Sequence, residues 1–283
     1  MGRGLRENHL RGARNRCFYD ARVTRNAERD PWYASWFGEE YLALYPERDD
    51  REAVLQAIFA RELLAPNAAR GRVKFLDLAC GTGRHAVALD GYEGGVVGLD
   101  LSATLLFEAL RRPRRPRPGY VRADMRQLPF QGATFGAVVN FFTSFGYFDD
   151  PEDDVLVLRE VARILAPGGA FLSDVFNTER VVGSLASREE KTVAGEKVCI
   201  SRRYDPVTRN VEKEIEMGSG AGRRVFRERV RAYREEELRA LHRAAGLSVV
   251  AQYGEFDGSP FDPRRSPRLI LFAEKPLHGR RPR

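Results

Sequence analysis

Hydrophobic and polar positions change rhythm several times along the chain. Residues 1–30 carry neither a helical nor a strand period and are expected to form a disordered tail. From Pro31 the aromatic residues Trp32, Tyr33, Trp36, Phe37, Tyr41 and Tyr45 recur at helical spacing, which predicts an aromatic-faced helical segment. A second helix is expected over 52–64, stopped by Pro66. Strand-like and helix-like runs then alternate. Strands are predicted at 73–78, 96–99, 120–123, 135–142 and 170–176, and helices at 85–89, 103–110 and 153–165. Such alternation argues for a parallel sheet with helices on both faces.

After Asn177 the pattern breaks. Runs at 198–204 and 211–217 flank the turn-rich segment 205–210 and read as a hairpin, with a third strand at 224–233. A helix over 235–245 ends at Gly246, a C′-like position. Strands at 247–253 and 268–274 complete the main sheet. The expected fold class is therefore α/β, a doubly wound, mostly parallel seven-stranded sheet. A small antiparallel insertion at about 178–232 is placed on one edge of it. The expected domain spans 31–275, with N-terminal aromatic helices over 31–65 and a basic C-terminal tail at 276–283.

Composition adds boundaries. With 283 residues, 43% hydrophobic and 31% charged, the chain can bury a full α/β core. No apolar run approaches the ~20 residues needed to cross a bilayer. The N-terminal arginines are not followed by the apolar stretch of a secretory signal, and no Ser or Thr completes a myristoylation site. Cys17, Cys80 and Cys199 are too far apart to suggest a disulfide framework or a metal cluster. A cytoplasmic enzyme is the simplest fit. The net charge of +7 comes entirely from the two ends, so the body between them is formally neutral. Basic tails can hold nucleic acid, yet solvated ends are the favoured reading, and only 5 of the 47 basic residues are lysine. The run Arg111-Arg-Pro-Arg-Arg-Pro-Arg117 is read as a solvated loop. An exposed hairpin edge leaves room for a homodimer.

The chemistry concentrates near residue 80. Gly81 and Gly83 follow a predicted strand and open a helix, so backbone N–H groups can approach a ligand. The relaxed dinucleotide pattern G-x-G-x-x-G/A is also satisfied there. Asp77 separates the readings. A carboxylate at that strand end would repel a pyrophosphate and suits a ligand carrying ammonium and sulfonium, such as S-adenosylmethionine. Asp100 ends the next strand and can accept from both ribose hydroxyls. Asp124 can accept from the adenine amino group, with Leu101 and Met125 packing on the ring. His9, His85, His242 and His278 are too scattered for a metal site. His85 can face the pocket, although packing is its more ordinary role. No Gly-x-Ser-x-Gly elbow, Walker lysine or Asn/Asp-Pro-Pro-aromatic sequence is present.

The segments Asp77-Leu-Ala-Cys-Gly-Thr-Gly83, Gly98-Leu-Asp-Leu-Ser102, Ala123-Asp-Met-Arg126 and Leu165-Ala-Pro-Gly-Gly-Ala-Phe171 resemble successive motifs of class I S-adenosylmethionine-dependent methyltransferases. The resemblance covers about 31–275. Asn140-Phe-Phe-Thr-Ser-Phe-Gly-Tyr147 and the later hairpin are similar to the small-molecule branch, which includes glycine N-methyltransferase and amino-sugar N,N-dimethyltransferases. It implies a Rossmann-like fold, S-adenosylmethionine as cofactor, S-adenosylhomocysteine as product and no metal. It implies that Ala79, Gly81 and Gly83 cradle the cofactor, and that Asn140 and Phe141 line its methionine and sulfonium end. Tyr45 and Arg48 match the positions that close over it and reach its carboxylate. Ser144, Phe145 and Tyr147 would border the acceptor, together with Tyr33 and Trp36 from the aromatic helix. Tyr147 is the expected catalytic contact, and no general base is assigned. Gly136 departs from the acid usual at its position, which is a structural one. The expected reaction is methyl transfer to an N or O atom of a small molecule. The alternatives are an RNA or protein methyltransferase anchored by its tails, a NAD-dependent dehydrogenase, and a binding protein without chemistry.

Overall fold

Strands β2 (Lys74–Leu78), β3 (Val96–Asp100), β4 (Gly119–Arg122), β5 (Phe135–Asn140) and β6 (Leu165–Phe176) run parallel, and β12 (Arg268–Glu274) and β11 (Ser248–Tyr253) extend the sheet antiparallel. The computed structural model describes residues 19–20, 31–46, 50–68, 74–91, 94–113 and 118–277. The strand order is β4-β3-β2-β5-β6-β12-β11, with the two-residue strand β1 (Tyr19–Asp20) added in parallel outside β4. That short pairing, Tyr19 with Val121 and Asp20 with Arg122, departs from the featureless tail expected for 1–30. The remainder of that tail, and residues 278–283, lie outside the described residues.

Every residue of β5 is buried, as is nearly all of β6. Continuous apolar runs of this kind need cover on both faces. One face packs around Leu76, Leu78, Val138, Leu158 and Phe171, the other around Phe75, Leu89, Leu106, Val139 and Leu172. Helix α6 (Pro151–Ile164) starts cleanly because Asp150 accepts from the Glu152 N–H at 3.0 Å, Pro151 opens the first turn, and three acids follow. Helix α8 (Glu235–Ala244) is followed by Gly246 at φ 84°, the left-handed C′ residue expected there.

Several elements differ from the sequence pattern. The aromatic segment is two helices, α1 (Trp32–Trp36) and α2 (Glu39–Leu44), broken at Phe37 and Gly38. Helix α3 (Asp50–Ala68) runs on past Pro66, where a proline in the last turn forgoes only one intrahelical bond. Helices α4 (Arg84–Ala88) and α5 (Ala103–Arg111) follow β2 and β3 as expected. After β6 come a short helix α7 (Thr178–Gly183) and the strand β7 (Arg188–Val193), whose charged, mostly exposed sequence has no apolar face to announce it. It pairs with β8 (Glu196–Asp205), which continues through β9 (Asn210–Met217) and β10 (Arg224–Arg231).

This antiparallel sheet was expected on an edge of the main sheet. It instead packs Val198, Ile200, Ile215 and Met217 on Trp36, Tyr41 and Leu44 of α1 and α2 and on Leu105 of α5. The two sheets share no strand pairing, and the inner apolar face of the insertion is covered by the helices. Among the described residues no helix is long and apolar enough to cross a membrane. The main sheet reverses direction of growth between β2 and β5, and in such sheets ligands bind outside the carboxyl ends of the strands at that point.

Candidate active site

The buried strand β2 ends in a turn that only unusual backbone angles allow. Ala79, Gly81 and Gly83 have φ of 57°, 54° and 70°. The turn is fastened to the end of β3: Cys80 N–H donates to Leu99 O at 2.9 Å, and Gly81 N–H donates to Asp100 Oδ2 at 2.7 Å. Asp100 Oδ1 accepts from Ser102 N–H at 2.8 Å. Ser102 in turn caps α5 and donates its hydroxyl to Phe37 O at 2.5 Å, which ties the aromatic helix to the same corner. Burial pushes the Asp100 carboxyl above its ordinary range, and the N–H groups of Ser102 and Gly81 oppose that shift.

Asp77 is buried in β2, and burial pushes its carboxyl up to about 7, opposed by the Ala86 N–H and the Arg84 charge and reinforced by Asp100. Its Oδ2 has no hydrogen-bond partner, and the residue lines a cleft of about 1100 Å³. A buried carboxylate left short of a donor fits a cationic ligand group. It does not fit a pyrophosphate.

The cleft brings most of the expected residues together. Ala79, Gly81, Asp100, Leu101, Asp124 and Met125 line one side, and Phe141, Ser144 and Tyr147 line another. Tyr33 and Tyr45 close it from the N-terminal helices. Asp124 is already engaged: Arg126 bonds both of its oxygens, at 2.7–3.2 Å, and bridges to Asp153 at 2.7 Å. Tyr147 stacks with Tyr33 and Phe37 and meets Trp32 edge-on, and its carbonyl accepts from Trp32 Nε1 at 3.2 Å. Burial raises the Tyr33 phenol, with Arg126 opposing. His85 lines the cleft as a packed residue, with Nε2 2.6 Å from Gln56 Oε1 and its ring 4.7 Å from Phe141.

Four expected residues do not line it. Gly83 is the N-cap of α4, where an added Cβ would sit 2.9 Å from Ala109 Cβ and run into Tyr120, so close helix packing requires a glycine there. Asn140 is buried and donates Nδ2 to Leu78 O at 2.8 Å, joining β5 to β2. Trp36 packs on Phe226 at 4.8 Å and donates Nε1 to Glu228 at 2.6 Å, inside the apolar seam of the antiparallel sheet. Phe145 turns into the main core near Tyr233. The bulk of both rings draws them to the apolar side of their segments. Arg48 lies outside the described residues.

Sequence reasoning missed Phe142 and Thr143, which follow Phe141 into the cleft wall, and the roof. Arg202, Lys213 and Glu228 are cross-strand neighbours on β8, β9 and β10 and reach the cleft from above. Lys213 bonds the Tyr45 hydroxyl and pairs with Glu228 at 3.2 Å. The inner face of these strands changes from Val198, Ile200, Ile215 and Met217 to charged residues at this row, a change visible in the alternation. Among the described residues no group of three or more His, Cys, Asp and Glu side chains could hold a metal ion.

Comparison with known proteins gives the family. A family described as "Methyltransferase domain" matches residues 75–169, which run from β2 through the glycine turn into β6. The dTDP-3-amino-3,4,6-trideoxy-alpha-D-glucopyranose N,N-dimethyltransferase of Streptomyces venezuelae is 32% identical over 62% of this chain and 75% of its own length. The cypemycin N-terminal methyltransferase of a Streptomyces species is 29% identical over 69% of this chain and 81% of its own. The CcbJ methyltransferase from Streptomyces caelestis has the same fold, with a TM-score of 0.71 at 20% identity over 86% of this chain and 99% of the other. With the carboxylate turn, the reversal point of the sheet and these relatives in agreement, the chain belongs to the S-adenosylmethionine-dependent methyltransferases.

Proposed function

We propose that the protein methylates an amine nitrogen of a small-molecule acceptor. The observation that carries this reading is the roofed cleft. Trp32, Tyr33, Phe37 and Tyr147 wall one part of it, and Arg202, Lys213 and Glu228 of the antiparallel sheet reach it from above, a space of a size suited to a cofactor and a small molecule. The relatives support nitrogen as the target, since one acts on an amino sugar and another on a peptide N-terminus by name.

S-adenosylmethionine supplies a methyl group on a sulfonium, already activated for displacement. In this reading Asp77 receives the ammonium, Asp100 the ribose hydroxyls, and Leu101 and Met125 the adenine ring. Asp124 offers the adenine amino group whatever lone pairs Arg126 leaves. Tyr45 closes over the methionine end, Arg48 is the position expected to reach its carboxylate, and Phe141 lines the sulfonium side. Aromatic faces favour the positive charge there. Tyr33, Ser144 and Tyr147 border the acceptor. A neutral amine brings its own lone pair and needs no strong base, so these residues orient the acceptor and exclude water.

Mass spectrometry of a panel containing a dTDP-amino sugar, short peptides with free N-termini and a tRNA transcript tests the reading. Gain of a methyl on an amine-bearing small molecule or peptide end is the expected result. Methylation of the transcript alone would replace this proposal with the RNA reading. On the preferred acceptor, Tyr147→Phe should lower kcat/KM roughly tenfold through one lost hydrogen bond, with affinity for S-adenosylhomocysteine unchanged.

A further inference from the structure

The loop leaving β5 holds two consecutive non-glycine residues in the left-handed region, Phe142 at φ 61° and Thr143 at φ 57°. A β-branched threonine is strained there, and such strain persists only where the surroundings over-determine it. Both residues line the cleft. Their backbones are caught by one residue of β6: Phe142 N–H donates to Asp174 Oδ2 at 2.8 Å, and Thr143 N–H donates to Asp174 O at 2.9 Å. Asp174 is fully buried and is gripped at two points by Arg268 of β12, Nε to Oδ1 and Nη2 to Oδ2, both at 2.6 Å. The same Nη2 donates to Thr143 Oγ1 at 3.1 Å. The Arg84 guanidinium stands 4.3 Å from the Phe142 ring, so the strained pair sits beside the helix that opens after the glycine turn. Neither Asp174 nor Arg268 lines the cleft, and methyl transfer has no use for either.

We propose that Asp174 and Arg268 are positioning residues, a buried clamp that holds Phe142 and Thr143 in the left-handed turn and so shapes the cleft wall for the methyl donor. The two-point grip fixes the carboxylate plane, the carboxylate and its own carbonyl fix both N–H groups, and the turn is held without a glycine. A lysine at position 268 keeps the charge and loses the fork. The inference rests on the assignment of this cleft to the donor.

The test is calorimetric affinity for S-adenosylhomocysteine in four variants. Arg268→Lys should weaken binding about tenfold, the scale of a lost charge-assisted hydrogen bond. Adding Thr143→Gly to Arg268→Lys should restore affinity to within about threefold of the unaltered protein, because glycine takes the left-handed turn unaided. In that background the threonine hydroxyl has already lost its partner, so the restoration reports the backbone alone. Unchanged affinity in Arg268→Lys, or no restoration by glycine, would overturn the proposal. Asp100→Ala and Asp77→Asn serve as controls on the cleft itself. If they too leave affinity unchanged, the donor-site assignment has failed. If they weaken it while Arg268→Lys does not, only the clamp has failed. Should Arg268→Lys not fold, amide exchange in the unaltered protein decides: the Phe142 and Thr143 amides should exchange only with global unfolding, and exchange at loop rates would overturn the clamp.

Discussion

Asp77 carries a proton over a range where an exposed aspartate would not, because it is buried without a donor for Oδ2. The unfolded carboxyl titrates near ~3.9, whereas the folded one is pushed up to about 7. The stability it contributes is therefore full below about pH 4 and is lost as pH rises through about 7. A cationic ligand reverses the balance by favouring the carboxylate. Binding of S-adenosylhomocysteine should tighten between about pH 6 and 8 and release a proton, which calorimetry in buffers of different ionisation heat detects. Asp77→Asn should flatten that profile, and a flat profile in the unaltered protein would contradict the assignment. Asp100→Ala should cost about 1–3 kcal/mol of cofactor affinity through lost charge-assisted hydrogen bonds; equal titrations of both proteins would remove Asp100 from the site. At this scale much was legible, because Asp77 and Asp100 stand at strand ends next to a glycine turn. The engagement of Asp124 by Arg126 was not, since two loop residues that fold back on each other leave no period in the chain.

Helices α1 and α2 and the antiparallel sheet depend on each other, with Trp36, Tyr41 and Leu44 on one side of a seam and Val198, Ile200, Ile215 and Met217 on the other. Trp36 is 1% exposed. Trp36→Ala should destabilise the protein by about 3–5 kcal/mol, the usual cost of truncating a buried tryptophan, as read by urea denaturation. A change below about 1 kcal/mol would mean that the seam collapses freely around the gap. Element type and order followed from periodicity, because a buried strand and an amphipathic helix each repeat locally. The break at Gly38 and the charged strand β7 escaped it. β7 is a strand because β8 offers it a ladder; its inward side carries only Val193 and the Lys191 stem, too little apolar surface to show as a period.

Across the whole molecule, stability against acid has a second buried contributor. His242 on α8 is buried against Phe171, with rings 5.7 Å apart, and burial pushes its imidazole down to about 4 from an ordinary 6.5. A folded pKa below the unfolded one means that the unfolded chain takes up protons first as pH falls. Relative to His242→Phe, the unaltered protein should therefore lose about 3 kcal/mol of stability between pH 6.5 and 4. Denaturation curves of both proteins across that range measure it, and parallel profiles would place the imidazole in contact with water. The chain ends can also be tested directly. Removing residues 1–18 and 278–283 leaves the β1 pairing with β4 in place and should leave methyl transfer to a small amine unchanged. Loss of that activity, or activity that falls steeply with salt, would point to the tails as a substrate anchor.

By itself the sequence determined the alternating α/β order, the glycine turn, the strand-end carboxylates Asp77 and Asp100, and, through the motifs that hold them, the resemblance to S-adenosylmethionine-dependent methyltransferases. Each is set by residues within a few positions of one another, where local period and strand-end chemistry act. Only the tertiary structure decided that Trp36 and Phe145 are core while Phe142 and Thr143 form the wall, that the insertion is a roof, and that Arg268 grips Asp174 from 94 residues away. Burial and pairing are properties of segments brought together from distant parts of the chain, and no local pattern encodes which face will be covered.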